Sequence, residues 1–142
     1  MVTYQQIIEA YGRTFGVKWY ETLIPWFGPD FKLADQNYED LDLDKVQRVI
    51  QSDHINEMVY KAEDFDCDDF AFGLMGAFHH EYDTASMPIF ICWVQTPEGG
   101  HAVCSCLAHD RTDGELVPLI IEPQNDAIYM VPKEWKLMLL CG

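Results

Sequence analysis

A chain of 142 residues with 24 Asp and Glu against nine Lys and Arg carries a formal net charge of −15, which repels phosphate backbones and excludes nucleic acid as a partner. A hydrophobic share of 49% and an aromatic share of 13% suit one globular domain, expected over residues 1–142. No apolar run approaches the roughly 20 residues of a membrane span, so no membrane partner is expected.

Five cysteines are an odd number without framework spacing, which predicts reduced thiols rather than a disulfide scaffold. The opening Met1-Val2-Thr3-Tyr4-Gln5-Gln6 lacks the basic and apolar regions of a secretory signal, so the expected location is cytoplasmic. The acidity leaves calcium, a basic partner or plain solubility as its uses.

Tyr4, Ile7, Ile8, Tyr11 and Phe15 recur at helical spacing and predict an amphipathic helix that ends between Gly12 and Gly16. Trp19, Trp26 and Phe27, punctuated by Pro25, Gly28 and Pro29, predict a packed loop. From Leu41 to Tyr60, Val46, Val49, Ile50 and Met58 mark a second helix, capped by Asp40 or Asp42 and broken near Ser52-Asp53. A third helix opens after Asp66, with Cys67 at its first position and Phe70, Ala71, Leu74, Ala77 and Phe78 as its buried stripe.

After Pro88 the period changes. Ile89–Gln95, His101–Leu107, Leu116–Ile121 and Trp135–Leu140 read as strands, which makes the fold class α+β, with helices packed on a C-terminal antiparallel sheet. Strand alternation sends His101, Val103 and Ser105 to one face and Ala102, Cys104 and Cys106 to the other.

A thiol at a helix N-terminus is favoured as thiolate, so Cys67 is a candidate nucleophile, with His101 as base and Glu122 as the group that orients the imidazole. Gln124 and Asn125 follow as orienting or oxyanion residues, and Asn125 or Asp126 stands in if Glu122 does not serve. The flanking aspartates oppose a thiolate. Cys92, Cys104, Cys106 and Cys141 form no Cys-x-x-Cys pair and read as core rather than zinc ligands. Trp19, Trp26 and Trp93 read as core rather than as the lining of a groove, and His79 and His80 as helix-end residues facing the dipole.

Cys67-Asp68-Asp69-Phe70, Gly100-His101-Ala102-Val103 and Glu122-Pro123-Gln124-Asn125 together resemble the C-terminal domain of agglutinins of the Marasmius oreades type, over the chain from about Tyr60 onward. The resemblance implies a papain-like fold and a calcium-activated cysteine protease with a Cys-His-Glu triad on Cys67, His101 and Glu122. It also implies a peptide or protein substrate and a homodimer. The lectin trefoil of such proteins does not fit in 142 residues.

The implied calcium makes Asp68 and Asp69, within Glu63-Asp64-Asp66-Asp68-Asp69, the expected metal ligands. An EF-hand is excluded because Asp69 stands where glycine is needed and Met75 where the bidentate glutamate belongs. The leading expectation is a cysteine hydrolase. The alternatives are a non-catalytic dimerisation or partner-binding module of the same fold, and an acidic inhibitor that mimics nucleic acid.

Overall fold

The computed structural model describes residues 1–22 and 28–142, without the side chains of Trp19 and Thr22. The expected loop around Trp26 and Phe27 lies outside the described residues, as does the side chain of Trp19.

Thr3 caps the first helix, α1 (Tyr4–Thr14), through a reciprocal box: its Oγ1 accepts the Gln6 N–H at 3.3 Å while Gln6 Oε1 accepts the Thr3 N–H at 2.9 Å. Ile7, Ala10 and Tyr11 are its buried stripe. A short strand β1 (Val2–Thr3) precedes it and pairs with β3 (Asn37–Tyr38).

Helix α2 spans Leu43–Ser52, with Asp42 as its cap: Oδ1 takes the Asp44 N–H at 3.0 Å and the Lys45 N–H at 3.3 Å. It buries Val46, Val49 and Ile50 but not Met58, which stands 51% exposed beyond it. The cause is Asp53, whose Oδ1 accepts the Ile55 N–H at 2.7 Å and offers the backbone a turn in place of further helix. A 3-10 turn over Ile55–Glu57 follows.

Helix α3 spans Cys67–His80 and buries Phe70, Ala71, Leu74, Met75 and Phe78, while Ala77 is only half-buried. His79 and His80 are exposed in its last turn.

The main sheet has six strands in the order β2-β8-β4-β5-β6-β7, formed by β2 (Asp30–Lys32), β4 (Ile89–Thr96), β5 (Gly99–His109), β6 (Leu116–Glu122), β7 (Ala127–Met130) and β8 (Lys136–Cys141). The expected antiparallel sheet needs two corrections. β2 joins β8 in parallel, and the unforeseen β7 pairs with β6.

Alternation along the strands divides the core in two. Ile89, Ile91, Ala102, Cys104, Cys106 and Ile121 pack under α2 and α3, whereas Phe90, Cys92, Val94, Val103, Leu107 and Ile120 pack under α1. A polar stitch joins α1 to its face: Ser105 Oγ donates to the Leu119 carbonyl at 2.8 Å, so its one proton is committed and Tyr11 Oη, 2.7 Å away, is the donor to Ser105. The mixed α+β class of the sequence reading holds. Among the described residues, no helix is long and apolar enough to cross a membrane.

Candidate functional site

Thr96 pairs with Gly99 across a tight turn headed by Pro97, and Gly99 takes φ +136, which explains a glycine there. His101 follows on the α1 face with Val103. The last paired residues of β5 and β6 are Cys104 and Ile121, so one step further puts Glu122 across from Val103 and one diagonal from His101. The diagonal is closed by a bond: His101 Nε2 lies 2.8 Å from Glu122 Oε2, with side chains 23% and 11% exposed.

The other carboxylate oxygen, Oε1, accepts the Gln124 N–H at 3.3 Å. The Glu122 carbonyl takes the N–H groups of Asn125 and Asp126 at 3.3 and 2.9 Å. Asn125 Oδ1 accepts the Ala127 N–H at 3.0 Å and Asp126 adopts φ +62. Gln124 and Asn125 are thus the turn that carries Glu122 into β7.

Two aromatic rings complete this edge. Trp135 meets His101 edge-on at 6.1 Å and Tyr129 edge-on at 6.1 Å, and both rings are half-buried against the α1-side core. Burial, and then the Glu122 carboxylate, push the Tyr129 phenol up to about 12. Neither ring carries a site role in the sequence reading. The Asn125-Asp126 turn signals that the chain reverses after β6, but the four residues of β7 are too few for alternation to mark a strand there.

Cys67 occupies the first position of α3 and packs, half-buried, against the α2 and α3 side of the core. Strand parity gives His101 the direction of Val103, and its described partners are Glu122 and Trp135.

Asp66, Cys67 and Asp68 bring their ligand atoms within 4.8 Å of one another, whereas Asp69 Oδ2 turns back to accept the Asp66 N–H at 3.2 Å. A hydrogen bond that the protonated Asp68 carboxyl donates to Asp66 and, less, burial hold Asp68 above its usual range. Two carboxylates and a thiol fall short of the roughly six to eight oxygens calcium takes, so this turn does not by itself fit the ion.

Cys92, Cys104 and Cys106 are buried, and Cys104 Sγ donates to the Ala71 carbonyl at 3.3 Å. Burial pushes the Cys106 thiol up to about 12 and those of Cys92 and Cys104 higher still, as core cysteines require.

No family model matches the chain, and no curated protein matches it. Among solved structures it is similar to PSL1a in complex with E64, with a TM-score of 0.74 and 18% identity over 99% of this chain and 50% of that one. It is also similar to Polyporus squamosus lectin bound to the human-type influenza-binding epitope Neu5Acα2-6Galβ1-4GlcNAc, with a TM-score of 0.65 and 21% identity over 80% of this chain and 42% of that one. The chain shares its fold with these lectin chains. It spans half or less of the length of each.

The leading expectation is corrected by this result. The structures that share the fold are of a lectin, one of them holding a glycan, so the reading as a cysteine protease, a papain-like hydrolase, is not carried forward.

Proposed function

We propose that the chain is a non-catalytic binding module, related to the agglutinins, whose partner is a carbohydrate. The observation that carries this reading is the likeness along 80% of the chain to a lectin described with its bound glycan. The edge formed by His101, Glu122, Tyr129 and Trp135 is the contact surface in this proposal. Aromatic rings offer a sugar's C–H face an apolar plate, and an oriented imidazole and carboxylate offer its hydroxyls a donor and an acceptor. The charge of −15 favours a neutral glycan over a sialylated one.

Calorimetric titration with galactose-terminated and sialylated forms of the same oligosaccharide is the test. Tighter binding of the neutral form, lost roughly tenfold or more in Trp135→Ala and kept in Cys67→Ala, is expected, by analogy with the cost of truncating a buried aromatic anchor. Absence of binding to either form, or affinity that depends on Cys67 and not on Trp135, overturns the reading.

A further inference from the structure

Alternation along the short β1–β3 ladder buries Val2 and Tyr38, and so turns their neighbours Thr3 and Asn37, paired across the ladder, to solvent. The Tyr4 N–H then donates to the Gln36 carbonyl at 2.9 Å, which holds the start of α1 against the segment leading into β3. The surface so formed contains a hollow of about 370 Å³ lined by Thr3, Tyr4, Gln5, Gln36 and Asn37, within the roughly 300–1,000 Å³ of small-ligand pockets.

This lining carries no charged side chain, in a chain with 24 acidic residues. By contrast, the groove between α1 and the end of β5 holds Glu9, Arg13 and Glu115, and the one before α2 holds Asp42, Asp44 and Arg111. A second hollow, of about 380 Å³, shares Tyr4 and Gln5 with the first and adds Ile8, Phe31 and Asp30, whose carboxylate is paired with Lys32 at 3.2 Å.

Hydrogen-bonding capacity is left over at this place. Thr3 is committed to the capping box, and Gln5 Nε2 donates to Glu9 Oε1 at 2.8 Å while Gln5 Oε1 stays open as an acceptor. The side-chain amides of Gln36 and Asn37 and the Tyr4 hydroxyl have no partner within the chain among the described residues. An amide offers a donor and an acceptor side by side, the pair that neighbouring hydroxyls of a sugar ring satisfy, and the Tyr4 ring, 37% exposed, offers the sugar's C–H face an apolar plate. An anion would meet the field of the −15 charge, and a cation would find no carboxylate in the lining.

We propose that this hollow is a second saccharide site, separate from the His101–Glu122 edge, and that it takes a neutral sugar on Tyr4, Gln36 and Asn37. The class of ligand rests on the carbohydrate reading above; the place does not.

Nuclear magnetic resonance titration of the isotope-labelled protein with lactose tests it. Saturable shifts are expected at residues 3–6 and 36–37 and at the side-chain amides of Gln36 and Asn37, with the affinity read there falling about tenfold in Tyr4→Ala and in Asn37→Ala. Asn37→Ala keeps the backbone pairing with Thr3, so a parent-like amide spectrum separates lost binding from lost structure. Shifts confined to residues 101, 122, 129 and 135 would overturn this inference and leave the proposed function standing. Shifts at residues 3–6 and 36–37 alone would uphold it and remove the His101 edge as a contact surface, and no shift anywhere would overturn both. An unchanged affinity in Asn37→Ala would overturn the site as drawn.

Discussion

His101 and Glu122 sit one diagonal apart on adjacent antiparallel strands, on the same face of the sheet, and the 2.8 Å bond from Nε2 to Oε2 fixes the imidazole with its other nitrogen directed away from the carboxylate. Twenty-one residues separate them in sequence, and strand register removes that distance.

Glu122 also raises the proton affinity of the Tyr129 phenol, although burial contributes more. Glu122→Gln removes the charge and leaves the burial. In ultraviolet titration, the phenol that ionises near 12 in the parent should ionise at lower pH in this variant but stay above the ordinary tyrosine value. An unchanged titration would show that the carboxylate does not act on Tyr129.

Tyr11→Phe removes the donor to Ser105 Oγ inside a fully buried site, where Ser105 itself is 0% exposed. The Ser105 proton remains on Leu119, so only an acceptor is left unpaired, and a loss of about 1–2 kcal/mol in urea unfolding is expected. A loss near zero would mean that the stitch between α1 and the sheet is dispensable.

The five thiols divide by burial. Brief alkylation of the native protein, read by mass spectrometry, should modify the half-buried Cys67 and Cys141 and spare Cys92, Cys104 and Cys106, whose thiols burial keeps protonated. All five should react in denaturant. Native labelling of any of the three strand cysteines would contradict the described core.

Asp42 satisfies two otherwise unpaired N–H groups at the start of α2. Asp42→Ala should cost about 1 kcal/mol, measured by the same unfolding experiment. Gly76 lies in the interior of α3 with open space where a Cβ would stand, so Gly76→Ala should gain about 0.5–1 kcal/mol.

Local chemistry was legible in the chain itself. The Asp66-Cys67 start of α3 and the alternation that separates His101 from Cys104 depend on neighbours within a few residues, and the structure places both as the sequence predicts; of the two aspartates the sequence offers as the cap of α2, it uses Asp42 rather than Asp40. The premature end of α2 was half legible, since the break near Ser52-Asp53 was visible while Met58 still counted as helix. The Asp53 side chain decides it by taking the Ile55 N–H.

Tertiary structure alone decided the rest. The four residues of β7 are too few to announce a strand by period, and only their pairing with β6 brings Tyr129 beside Glu122. The order Cys67, His101, Glu122 named a chemistry, but order along a chain carries no information about which face of a sheet each side chain takes. The fold laid α3 on one face of the sheet, which packs Cys67 at its start against the α2 and α3 core, and strand register brought His101 to Glu122 and Trp135, contacts between residues distant in sequence that no local pattern encodes.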